Sequence, residues 1–260
     1  NSLRVLSDAA GVTADALYTN STIALNADTG ELVWHFQHMR NDQLDHDWAY
    51  ERQIINLPFE GVMRKAIVTG GKEAIFEAVD AATGEYLFSM DLDMQNVISE
   101  IDPRSGEKSL SQQAIPEPGQ SLDGLSLNGI CPDALGARNM QSSSYNPATG
   151  ILYIPMQDTC INNLTGERWQ KYPDPSTNGL WGMVKAVNLA TREVEWTERQ
   201  FAPPASGNLT TDSGLLFSGS VDRYFRAVDQ TDGSVLWQQR LDNAPSSYPI
   251  TYRVDGKQYV

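Results

Sequence analysis

The sequence predicts an all-β chain built as β-propeller blades, and three observations carry that prediction. From Leu17 onward the apolar residues fall in short β-rich runs closed by turns, with few stretches of helical period. An eleven-residue unit recurs: a small residue, an apolar residue, Asp or Asn, two variable positions, Thr-Gly or similar, three variable positions and an aromatic. Its copies begin at Ala24, Ala78, Ala186 and Ala227, separated by multiples of roughly 40 to 55 residues, the period of a blade with loop insertions.

The unit reads as a β-hairpin. Its Asp or Asn accepts hydrogen bonds from the turn backbone, and the Gly takes the left-handed position. The closing aromatic then lies against a neighbouring unit, which assigns Trp34, Trp196 and Trp237 to docking and Phe88 to the equivalent place. A weaker copy runs from Ser144 to Ile154. The copies predict about four to five blades in a single propeller domain over residues 1–260.

Bulk composition narrows the function. The 260 residues are 40% hydrophobic, enough for one large domain or two small ones, and carry a net charge of −14. That acidity argues against nucleic acid, which calls for a basic footprint, and against an anionic membrane surface. It leaves room for a cation or a basic protein partner. No apolar run approaches the ~20 residues of a membrane span.

The chain begins at Asn1 without Met and ends on the apolar segment Gly256–Val260, so an internal piece of a longer protein is expected. The absence of a targeting segment therefore says nothing about compartment. Cys131 and Cys160 are too few for a disulfide-built scaffold and lack zinc-knuckle spacing. A single bridge and two buried thiols are both compatible with them.

Departures from the repeat are where chemistry is expected. Directly after the first copy, Trp34 to Trp48 contains Asp45 and Asp47, one residue apart. In an extended segment such a pair leaves the same face. Two carboxylates converging there repel unless a cation lies between them, and oxygen ligands suit a hard cation. His35, His38 and His46 lie nearby, but no second cluster supports a zinc site, and they are expected at the surface. Two irregular stretches, 95–139 and 162–178, are too long for plain connections and are expected, with Trp48, to wall a pocket.

Together these residues resemble the quinoprotein alcohol dehydrogenases: periplasmic, eight-bladed enzymes that use pyrroloquinoline quinone (PQQ) and a bound metal ion. The closing-Trp unit resembles that family's tryptophan-docking motif over Leu17 to Val260. The resemblance implies that Asn41-Asp42-Gln43-Leu44-Asp45 ends on the catalytic aspartate, Asp45, with Leu44 replacing the usual Trp. Asp47 falls where lanthanide-using members place an additional carboxylate, so Asp45 and Asp47 are the implied metal ligands, for Ca²⁺ or, preferentially, a lanthanide. Lys72 falls on the basic residue that contacts the quinone oxygens, and Asn139 on a cofactor-contacting asparagine. Cys131 and Cys160 fall on cysteines that pair in some members, which favours the bridge.

In Phe201–Asn208 the chain departs from relatives that place a Trp beside the cofactor, and the family's glutamate metal ligand and stacking Trp fall upstream of Asn1. The implied reaction is oxidation of an alcohol or sugar hydroxyl, with electrons passed to a cytochrome c-type acceptor that the acidic surface would suit. A homodimer is compatible with it. The competing reading is a non-catalytic propeller that binds proteins, as in outer-membrane assembly scaffolds. That reading explains the blades but does not need the carboxylate pair.

Overall fold

The computed structural model describes residues 15–40, 42, 44–111, 128–162, 170–173 and 177–260. Every strand pairing in them is antiparallel, and the chain divides into two compact units. The first holds residues 1–137 and 159–174, the second 138–158 and 175–260.

In the first unit a four-stranded meander runs through Gln53–Phe59, Val62–Gly70, Ile75–Asp80 and Tyr86–Asp91. The hairpin Ser21–Leu25/Leu32–Gln37 carries the first repeat copy. A second hairpin pairs Ile98–Ile101 with Lys108–Leu110, and Cys160–Asn162 lies between Asn128–Ile130 and Gln170–Tyr172. Met39, Trp48, Ile75, Val97, Ile98, Ile130 and Ile161 form one apolar cluster here.

The second unit contains two four-stranded meanders. One orders Ser144–Asn146, Ile151–Gln157, Gly182–Asn188 and Glu193–Gln200; the other Leu209–Thr210, Leu215–Gly219, Tyr224–Asp229 and Val235–Arg240. A last hairpin pairs Tyr252–Val254 with Lys257–Tyr259. Tyr153, Val184, Ala186, Leu216 and Val228 form its core cluster.

The repeated unit folds alike in all four places. Its small residue pairs with its aromatic, as Ala24↔Trp34, Ala78↔Phe88, Ala186↔Trp196 and Ala227↔Trp237, and a register shift follows that small residue every time. The shift leaves the residue before each aromatic, Val33, Leu87, Glu195 or Leu236, unpaired as in a β-bulge, while the aromatic stays in the ladder. In the turn, Asn26, Asp80 and Asn188 each accept from the two backbone N–H groups two and three residues on. The left-handed residue is Gly in three copies, but Arg192, at φ 66°, occupies it in the third.

Docking is visible in the glycines. A Cβ on Gly84 would lie 2.5 Å from the Trp34 ring, and one on Gly233 would lie 2.8 Å from the Trp196 ring. The weaker copy at 144–154 is the opening hairpin of the sheet that Ala186–Trp196 closes. A further turn of the same kind sits at Asp102–Gly106, where Asp102 Oδ1 accepts from Arg104 and Ser105 and Tyr86 packs against Gly106. Of the two irregular stretches, residues 112–127, 163–169 and 174–176 lie outside the described residues.

Candidate active site

Asp45 and Asp47 lie on an irregular segment of the first unit, between the hairpin carrying Trp34 and the strand Gln53–Phe59. The segment is not a strand: Asp45 adopts φ 63°, a left-handed conformation that Asp tolerates better than most residues. Asn41 and Gln43 of the motif lie outside the described residues, whereas Asp42 Oδ1 accepts from Leu44 N at 2.9 Å.

Lys72 sits in the tight turn between Val62–Gly70 and Ile75–Asp80, closed by Gly71 N to Ile75 O at 3.1 Å and Ala74 N to Gly71 O at 3.2 Å. The turn is tied to the acidic segment through backbone, with Lys72 N donating to Asp47 O at 3.1 Å. Its ammonium completes the join: Lys72 Nζ lies 2.8 Å from Asp47 Oδ2, 3.3 Å from Asp45 Oδ2 and 2.6 Å from Asp45 O. The Lys72 side chain is only 6% exposed, against 47% for Asp45 and 40% for Asp47. A buried cation thus faces two half-exposed carboxylates. Partial burial works against ionisation of Asp45, and the Lys72 charge and hydrogen bond are the largest of the influences that hold the carboxyl below its ordinary value.

The floor of the site is polar and sealed. Trp48 is 1% exposed, its indole N–H donating to Glu73 Oε1 at 3.3 Å and its ring stacked on His38 at 4.6 Å. Its backbone carbonyl accepts from Arg52 Nη2 at 2.7 Å, and Lys108 Nζ stands 5.0 Å over the ring. His38 bridges Thr22 Oγ1 at 2.7 Å and Glu77 Oε2 at 2.8 Å, and Lys108 pairs with Glu77 Oε1. Burial lowers the His38 pKa despite Glu77, while in Glu77 the same burial is outweighed by Lys108 and His38, which hold the carboxylate ionised.

A disulfide joins Cys131 to Cys160 across 29 residues and braces one flank of the site. The loop it anchors returns Ala137 N to Lys72 O at 2.8 Å and Asp133 O to His46 Nε2 at 3.3 Å. Asp133 itself pairs with Lys171 at 2.7 Å. Asn139 belongs to the second unit, where its Oδ1 accepts from Met140 N at 2.9 Å.

Two expectations are revised. His35 is exposed as expected, but His38 and His46 are buried, because each ring satisfies a neighbouring polar group inside the unit. Trp237 is 49% exposed, whereas Trp34 and Trp196 dock as expected. Sequence reasoning missed Glu73, Glu77 and Lys108. The available signal was an acidic residue inside the otherwise apolar run Ile75–Val79, which has to be buried on both faces.

The residues present fit a hard cation in kind. Two carboxylates and one carbonyl already converge on the Lys72 ammonium, which stands in for a positive charge. Among the described residues no group of three or more His, Cys, Asp and Glu side chains gathers as a complete metal site. A buried ammonium at the same place also fits a partner whose carbonyl oxygens gain negative charge on reduction, as those of a quinone do.

Comparison with known proteins gives the family. The sequence profile of the PQQ family, described as glucose/ethanol/alcohol dehydrogenase, β-propeller domain, matches residues 7–124 and 157–260. The dehydrogenase subunit of the quinone alcohol dehydrogenase of Acetobacter aceti is 32% identical over 266 residues, covering 94% of this chain and 35% of that protein. Lupanine 17-hydroxylase [cytochrome c] of a Pseudomonas species is 30% identical over 95% of this chain and 36% of its own length. A europium-containing methanol dehydrogenase superposes with a TM-score of 0.82 at 25% identity, over 93% of this chain and 43% of that one. The chain thus spans about a third of the curated relatives it matches. With its all-β meanders, its docking units and a profile match over most of its length, the chain belongs to the PQQ-dependent glucose/ethanol/alcohol dehydrogenase β-propeller family.

Proposed function

We propose that the protein of which this chain is part oxidises an alcohol or sugar hydroxyl to the aldehyde or ketone, with PQQ and a Ca²⁺ or lanthanide ion as cofactors. The observation that carries the reading is the Lys72 ammonium seated between two half-exposed carboxylates. When bound, the quinone accepts the two electrons of the alcohol and the metal polarises it as a Lewis acid. Asp45, held ionised by Lys72, accepts the hydroxyl proton at a carboxylate oxygen. Lys72 contributes positive charge where negative charge develops. Asp45 and Asp47 hold the metal, and the additional carboxylate of Asp47 favours a trivalent ion. Trp48, next along the chain from Asp47 and buried in the apolar cluster, anchors the acidic segment. Asn139 contributes a polar contact to the cofactor.

A cytochrome c-type acceptor is supported by the relative whose name carries cytochrome c and by the net charge of −14. The periplasm is the compartment that suits such an acceptor and the Cys131–Cys160 disulfide.

The test is turnover of the full-length parent reconstituted with PQQ and either Ca²⁺ or a light lanthanide, with a dye as acceptor and Asp47→Ala alongside. Lanthanide-dependent turnover abolished by Asp47→Ala supports both the reaction and the metal. Calcium-only turnover indifferent to Asp47 keeps the reaction and discards the lanthanide. Neither turnover nor cofactor binding with either ion leaves a propeller that binds proteins.

A further inference from the structure

We propose that Glu73 is a positioning residue that fixes Trp48 and through it the Asp45–Asp47 segment against Lys72. The proposal rests on the functional reading above for its consequence, and on geometry for its cause. Glu73 is wholly buried, and its Oε1 receives the Trp48 indole N–H at 3.3 Å. Its Oε2 has no hydrogen-bonding partner in another residue among those described. The fit is close: a Cβ on Gly71 would lie 2.3 Å from both Glu73 Oε2 and Trp48 Nε1. Trp48 directly follows Asp47, and Lys72, which directly precedes Glu73, donates its N–H to Asp47 O at 3.1 Å. Two adjacent residues of one turn therefore grip two adjacent residues of the acidic segment.

The surroundings of Glu73 favour the neutral form. Burial is the largest influence, and Asp42 adds to it. The Glu73 backbone, Lys108 and the Trp48 bond only partly offset them, leaving the pKa pushed up to about 8. The nearby cations are already committed: Lys108 to Glu77 and the His38 carbonyl, Lys72 to Asp45 and Asp47. An ionised Glu73 would have no cation of its own. It would draw water to Trp48 or pull Lys72 from the carboxylates, loosening the site in either case.

Glu73→Gln mimics the neutral acid at every pH, Glu73→Ala removes the acceptor, and Trp48→Phe identifies the contribution of this indole to the signal. In the full-length parent, near-ultraviolet circular dichroism is followed from pH 6 to 10 without cofactor, and PQQ affinity is measured over the same range. The expected result is a wild-type transition centred near pH 8 that both Glu73→Gln and Trp48→Phe abolish. Across that transition PQQ affinity falls about tenfold in wild type, stays level in Glu73→Gln, and is low at every pH in Glu73→Ala. A transition that is the same in wild type and Glu73→Gln overturns the role of Glu73, whether or not quinone binds. The same holds for PQQ affinity that falls equally in both proteins. If the transition behaves as expected but no PQQ binds at any pH, the oxidoreductase reading is overturned and the grip of Glu73 on Trp48 stands.

Discussion

Lys72 Nζ and Asp47 Oδ2 are 2.8 Å apart, with the ammonium buried and the carboxylate 40% exposed. An exposed pair of this kind adds little stability, on the order of 0–1 kcal/mol. This one differs because Lys72 also neutralises Asp45, so removing it leaves two carboxylates facing each other. Lys72→Met should lower the melting temperature by roughly 4 °C. It should also make the cofactor-free protein more responsive to added lanthanum, which can replace the lost charge. Thermal denaturation with and without the ion checks both, and an equal ion response in variant and wild type counts against a shared cation position.

The buried Glu77 gives a pH prediction. Its folded pKa lies below the ordinary value because Lys108 and His38 outweigh burial. Its contribution is therefore full above about pH 4.3, the unfolded value, and is lost as pH falls through the lower folded value. Glu77→Gln should flatten the acid limb of a urea-midpoint profile. At pH 7 it should cost about 3–5 kcal/mol, because Lys108 is left buried without its partner.

The disulfide closes a span of 29 residues, and on loop entropy removing it should cost about 3.5 kcal/mol. Paired Cys131→Ser and Cys160→Ser substitutions measure this by denaturant unfolding. Because the same loop hands Ala137 N to the Lys72 carbonyl, PQQ affinity should fall with stability. A loss of stability with unchanged affinity would confine the bridge to a scaffold role.

Gly84 and Gly150 separate backbone strain from docking. Both have φ near +74°, but only Gly84 has a ring, that of Trp34, within 4 Å of an added Cβ. Gly150→Ala should cost about 1 kcal/mol for the left-handed conformation. Gly84→Ala should cost about 2 kcal/mol more through overpacking. Equal costs would mean that Trp34 does not dock tightly.

Much of this architecture was legible because the repeat obeys local rules. The Asx turn, the left-handed residue and the aromatic are set within eleven residues, so all four hairpins could be read from sequence. Arg192 fills the glycine position of a copy that was still legible, whereas the turn at Asp102 escaped the pattern, since its flanking residues depart from it while its backbone does not. In the site, Asp45, Asp47 and Lys72 were found by resemblance, and the structure brings them onto one ammonium. Their expected extended geometry did not hold, because Asp45 turns left-handed. Apart from Glu77, whose place in an apolar run marks it as buried, Glu73, Lys108 and the buried histidines left no local trace, for a physical reason. Each is satisfied by a partner far along the chain, as in His38 with Glu77 and Lys108 with Glu77, and no local pattern encodes such pairs.

The central claim is that Asp45 is the base that takes the hydroxyl proton. The direct measurement is turnover of Asp45→Asn in the full-length parent at saturating PQQ and metal, with PQQ binding measured on the same samples. The account predicts a kcat reduced by about 10²–10⁴-fold while quinone still binds. An Asp45→Asn protein that binds PQQ and turns over at the wild-type rate would contradict it.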